Sequence, residues 1–118
     1  MNIRSLARGL DYLGQVESKR QTYHVFGGER LFLLLSFKPG SQKSGNFNIV
    51  EAEAVEYACR KFAGRTGLTS NDVVAESKQS SFIRDRFDAL NVLYTLVATQ
   101  CAKIDKRHKT PQLFFNVH

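Results

Sequence analysis

Four cationic or titratable side chains stand in a row near the C-terminus: Lys106, Arg107, His108 and Lys109. They interrupt two alternating stretches, "CAKID" and "QLFFNV", which places them on the tip of an expected hairpin. Like charges this close repel one another, and a hairpin tip has no folding use for them. The chemistry that compensates is attraction to phosphate. Each phosphate neutralised adds about −0.9 to the slope of log affinity against log salt. The competing reading is a solvated turn, since charged side chains commonly guard exposed strand ends.

The remaining reactive groups do not converge. His24, His108 and His118 are scattered, and a Ser/His/Asp or Cys/His triad cannot be assembled around them. Glu51, Glu53 and Glu56 open a helical stretch, where compensation of the helix dipole accounts for all three. Cys59 and Cys101 lie among apolar neighbours with no CxxC or Cys/His spacing, so they read as reduced structural cysteines. "GRTGLTS" lacks the spacing of a phosphate-binding loop. The expectation is a chain that is not an enzyme and that carries no metal and no cofactor.

The totals point the same way. The chain has 118 residues, 42% of them hydrophobic, enough for one core. Seventeen Lys and Arg against eleven Asp and Glu give a net charge of +6, which suits a polyanion, either nucleic acid or an anionic membrane surface. "MNIRSLARGLDYLG" has no uninterrupted apolar segment of the signal-peptide kind, and Leu31 to Leu35 is the longest strictly apolar run. A cytoplasmic location without membrane contact is expected.

These side chains must be positioned by elements that the patterning suggests. Ile3, Leu6, Leu10, Leu13 and Val16 recur at spacings of three and four, predicting a helix over 2–16. "TYHVF-GG-ERLFLLLSF" predicts a hairpin turning at Gly27-Gly28, whose second strand, 30–37, is too apolar to have a wet face. Residues 47–50 are a third strand or the lead into a helix. A helix from Glu51 stops near Gly64, and Thr69 or Ser70 caps a second, with Asp72 in its first turn. A third spans Phe82 to Gln100, with Ile83, Phe87, Leu90, Tyr94 and Val97 on one stripe, widened by Leu93 and Leu96, and Arg84, Asp88, Asn91 and Thr95 opposite.

Helix, short capped helix, polar turn, longer helix and hairpin, carried by "GLTSNDVVAES" and "FDALNVLYTLVATQCAKIDKR", together resemble a winged helix-turn-helix domain over roughly residues 48–117. The fold class expected is therefore α+β: a C-terminal winged helix-turn-helix (48–118) preceded by a small N-terminal helix and antiparallel strands (1–47) that pack internally or form a homodimer. The resemblance implies duplex DNA as partner. Under it, Arg84 would reach guanine and Asn91 adenine from the start of the third helix. Lys78, Ser80, Ser81 and Arg86 would meet phosphates, as would Lys103, Lys106, Arg107, His108 and Lys109 of the wing. Two further readings stay open: a protein-interaction module on a winged-helix scaffold, and a non-catalytic subunit of a nuclease or restriction assembly. DNA and RNA are not separated either, since Tyr23, Phe26 and Phe32 could stack bases if the sheet were exposed.

Overall fold

The computed structural model describes residues 9–18, 21–37, 45–107 and 112–118. Its elements are β1 (Asp11–Glu17), β2 (Thr22–Gly27), β3 (Leu31–Phe37), β4 (Gly45–Glu51), α1 (Ala52–Lys61), α2 (Ser70–Glu76), α3 (Arg86–Ala98), β5 (Ala102–Asp105) and β6 (Phe114–Val117). The fold is α+β. Four strands form an antiparallel sheet in the order β1-β2-β3-β4, and β5 and β6 form a separate hairpin.

The apolar run of residues 31–35 sits in β3, flanked by β2 and β4, where both faces of the strand are buried: Leu33, Leu34 and Leu35 are all inaccessible. One face of the sheet contributes Val16, Val25, Leu34 and Val50 to a core shared with Val55, Phe62, Leu93, Leu96 and Phe115. That core is continuous from the sheet through the helices to the C-terminal hairpin. The opposite face carries Tyr12 against Phe26 at 5.2 Å and leaves Phe47 and Ile49 partly exposed.

Two local expectations change. The helix expected over 2–16 is a strand in its second half, β1, paired with β2 from Asp11 to Glu17; residues 2–8 lie outside the described residues. A bulge between Tyr12 and Gly14, where Gly14 takes φ +142°, shifts the register. It disguises the period-two alternation of a strand as a helical spacing of three. The β2–β3 turn is centred on Glu29-Arg30, closed by the Gly28 amide donating to the Leu31 carbonyl at 3.0 Å. Neither Gly27 nor Gly28 takes a positive φ, and a Cβ on Gly28 would stand 2.6 Å from Leu10 Cδ2, the movable end of a side chain.

The C-terminal half follows its patterning closely. α1 leads directly out of β4, and Gly64, at φ +79°, donates to the carbonyl of Val117, tying the exit of α1 to the last strand. Thr69 caps α2 with a reciprocal box: its hydroxyl accepts from the Asp72 amide while the Asp72 carboxylate accepts from the Thr69 amide. Leu68 exchanges two backbone hydrogen bonds with Phe115, at 2.9 and 2.8 Å, so one residue between α1 and α2 extends the β5–β6 hairpin by a third, single-bridge strand. α3 ends in a Schellman motif. Gln100 stands at φ +65°, the Cys101 amide donates to the Leu96 carbonyl and the Gln100 amide to that of Val97.

α3 is the structural axis. It packs against α1, α2, β5 and all four strands of the sheet. Its buried residues are Ala89, Val92, Leu93, Tyr94, Thr95 and Leu96, which include Leu93, Tyr94 and Leu96 of the expected stripe but not Phe87, Leu90 or Val97. Phe87, assigned to that stripe, is 78% exposed, and Thr95, assigned to the polar side, is fully buried with its hydroxyl donating to the Asn91 carbonyl. Burial on two sides removes the single apolar face from which a helix's phase is read.

Candidate nucleic-acid interface

The residues before α3 are held by a chain of short-range bonds. Asp85 caps the helix, accepting from the Asp88 amide at 2.9 Å; Asp88 in turn accepts from the amide of Arg84 at 3.1 Å and from its Nε at 3.2 Å. α3 therefore begins at Arg86 rather than Phe82, and Arg84 lies ahead of it in an extended approach with its guanidinium engaged by Asp88. Together with Asn91 and Ser81 it lines a recess of about 220 Å³ against Ile49, Val50 and Glu51 of β4. Lys78 and Ser80 lie further round, in a groove shared with Tyr57 and Lys61 of α1. Ser80 accepts from the Phe82 amide at 3.0 Å, which fixes the α2–α3 turn.

The other flank of α3 is different. Arg86, Phe87 and Leu90 border a cleft of about 650 Å³ that runs between the β1–β2 turn and the lead-in to β6. Its floor is aromatic: Tyr23 stacks on Tyr94 with ring centroids 4.6 Å apart and planes 25° from parallel. Burial, helped by the neighbouring Tyr23, pushes the Tyr94 phenol up to about 12, although a hydrogen bond with Ser18 and the charge of Arg86 act the other way. The pair is therefore neutral at physiological pH. Ser70 closes one side of the cleft, and Gln112 and Leu113 close the other. The stack also places Tyr23 on the face of the sheet turned towards α3, while Phe32 packs against the core, so neither offers a free ring on an open sheet surface.

The C-terminal hairpin presents Lys103, Lys106 and Arg107 at the surface. His108 and Lys109 lie outside the described residues. Asp105, inward and only 3% exposed at its side chain, accepts from Arg107 in a two-pronged pair, Nε at 2.9 Å and Nη2 at 2.6 Å, and also from the Arg107 amide at 3.1 Å. The guanidinium and amide of Arg107 hold the Asp105 carboxyl well below the usual carboxylate range, and Asp105 raises Arg107 in return. Arg107 is thus a pre-oriented cation whose charge is partly offset. Asn116, opposite Lys103 in the β5–β6 pairing, accepts from the Gly67 amide at 2.9 Å and locks the hairpin to the segment between α1 and α2.

The structure therefore divides the expected contact residues. Arg86 shares its flank of α3 with the lead-in to β6; Arg84, Asn91, Ser81, Ser80 and Lys78 look elsewhere. The sequence reading missed Phe87, Ser70, Gln112 and Leu113 as candidate contacts. For Phe87 the usable signal is the aspartate at 85: a helix capped there places residue 87 in its first turn, where a side chain overhangs the helix end. Among the described residues no group of three or more His, Cys, Asp or Glu could hold a metal ion, and no helix is long and apolar enough to cross a membrane. No family model matches the chain, and no significantly similar curated protein or solved structure was found.

Proposed function

We propose that residues 52–117 form a winged helix-turn-helix that binds DNA through the first turn of α3 and the basic β5–β6 wing. The element order supports this, with the Leu68 bridge standing where such a domain has its first short strand. The observation that carries the proposal is that the exposed start of α3 and the lead-in to the return strand of the C-terminal hairpin border one cleft, while the same hairpin presents Lys103, Lys106 and Arg107 at the surface. With a net charge of +6, backbone contacts dominate the binding.

The mode differs from a helix laid along a major groove. Tyr94 and Thr95 are buried, and within α3 the fully exposed side chains are those of Arg86 and Phe87 in its first turn. Asn91, which faces β4, is less well placed for base reading than Arg84, whose side chain bonds Asp88 through Nε and is 78% exposed. Fluorescence anisotropy with a random-sequence duplex at about 50 and 200 mM salt tests the proposal. Four to six phosphate contacts lower affinity by roughly two to three orders of magnitude over that range. Absence of binding at the lower salt would retire it. The second reading, a protein-interaction module on the same scaffold, is favoured by Phe87, an apolar side chain standing 78% exposed beside the cleft.

A further inference from the structure

β4 is an open edge of the sheet. Among the described residues it pairs with β3 on one side only, and four of its residues in succession, Asn46 to Ile49, are exposed. Two turn and ladder bonds fix the phase of its pairing: the Ala52 amide donates to the Arg30 carbonyl at 2.9 Å, and the Gly28 amide to the Leu31 carbonyl at 3.0 Å. Antiparallel neighbours alternate between bonded and non-bonded pairs. Asn46, Asn48 and Val50 therefore bond β3, while the amides and carbonyls of Phe47 and Ile49 point outward. We propose that this edge pairs with the same edge of a second copy of the chain, antiparallel about a two-fold axis at Asn48, so that two four-stranded sheets become one.

Three features select this occupant. The first is the absence of a guard. An exposed edge is a template for another strand, and proteins usually blunt it with charge, a bulge or brevity. β1, at the far edge of the same sheet, has a bulge between Tyr12 and Gly14 and exposed acids at Asp11 and Glu17. β5 is four residues long and carries Lys103. β4 has seven residues, a regular register and no charge before Glu51. The second feature is self-complementarity, which a two-fold contact requires. With the axis at Asn48, Phe47 meets the partner's Ile49 and Ile49 the partner's Phe47, in pairs of the aromatic and β-branched kind that stabilise sheets. Phe47 and Ile49 are now 43% and 52% exposed. Asn48 meets its own image, and since an amide both donates and accepts, the two side chains bond across the axis. Glu51 falls opposite the partner's Gly45, so the register sets no like charges against each other. The third feature is charge. A chain of net charge +6 repels its copy over most approaches, and residues 45–50 form an uncharged stretch where it does not. A single strand edge covers less than the ~800 Å² per partner of a standard interface, so the dissociation constant is on the order of tens of micromolar.

Sedimentation equilibrium of the full chain from about 5 to 500 µM, without DNA, tests the proposal by the rise from the mass of one chain towards that of two. Asn48→Lys and Asn48→Asp each set like charges across the axis and weaken association about tenfold. Because Asn48 is exposed, both variants keep their fold, which circular dichroism verifies. An equimolar mixture of the two places opposite charges across the axis and recovers the dimer. Gln15→Lys, on the guarded edge, leaves association unchanged. A wild-type chain that stays monomeric over the whole range overturns the proposal and leaves β4 to an extended segment of another protein. A dimer that survives in both single variants, or that the mixture fails to recover, overturns the pairing at Asn48. None of these outcomes bears on DNA binding by α3 and the wing, which the experiment does not involve.

Discussion

The two flanks of α3 carry similar residue types and do different things. On one, Arg84 and Asp88 form an ion pair, and Asn91 turns towards β4 in a recess of about 220 Å³. On the other, Arg86 stands next to an exposed phenylalanine at the margin of a cleft three times larger. Of two arginines two positions apart, one is thus bonded through Nε to a carboxylate of the helix start and the other borders the cleft. The difference is set by the Asp85 cap, which decides where the helix starts and hence which residues precede it. Residue type does not assign a contact; its place relative to a helix start does.

The largest effect expected from this contrast is in stability. Leu93 is fully buried in the shared core, and Leu93→Ala costs about 2–5 kcal/mol by creating a cavity among α3, the helices and the sheet. Phe87→Ala removes a bigger side chain and changes stability by less than about 0.5 kcal/mol, because the ring is already in water. Urea denaturation of both variants decides it. A Phe87→Ala loss comparable to that of Leu93→Ala would mean that the first turn of α3 is packed, and the two flanks would no longer differ.

Binding sharpens the contrast next. Arg86→Ala weakens DNA affinity about tenfold, whereas Arg84→Ala changes it about threefold, since the Asp88 carboxylate at its Nε offsets part of that charge. Replacing Lys103, Lys106 and Arg107 together with Ala flattens the salt dependence by about 0.9 for each phosphate that is no longer neutralised. Equal losses for Arg84→Ala and Arg86→Ala in an anisotropy titration would place both flanks on the DNA.

The legible and illegible parts of the molecule separate on physical grounds. The three helices from residue 51 onward, the Thr69–Asp72 cap and the β5–β6 strands were readable because each is specified by neighbours in sequence: an acid-to-base charge gradient, a capping pair, a short alternation. β1 was not, because its bulge puts Leu13 and Val16 at a helical spacing, and pairing with β2 overrides the local pattern. The exposure of Phe87 was hidden for a related reason. Ile83 is buried but precedes α3, so it cannot set the helix's phase, and the rings that cover Tyr94 (Tyr23 of β2 and Phe115 of β6) come from other parts of the chain. What the sequence could supply of the site was its charge, not the face that presents it.

A smaller effect concerns the cap that orients the cleft. Thr69→Ala leaves the Asp72 amide without its hydroxyl partner and costs about 1 kcal/mol in denaturant-induced unfolding. An unchanged unfolding midpoint would mean that solvent replaces the Thr69 hydroxyl at the Asp72 amide without cost.

The smallest effect lies on the wing, where stability and binding oppose one another. The Asp105 carboxylate has a folded-state pKa below its unfolded value, so its contribution is complete above the usual carboxylate range and is lost as the pH falls towards the depressed value. Wild-type stability should therefore decline more steeply than that of Asp105→Asn from about pH 5 downward, the two curves converging in strong acid. The same substitution deletes a negative charge beside Lys106 and Arg107 and releases the guanidinium, so DNA affinity at neutral pH rises about threefold at low salt. A variant that loses stability and gains affinity has a wing whose arginine is held back by its own fold; one that loses both relies on Asp105 to aim Arg107 at the phosphate.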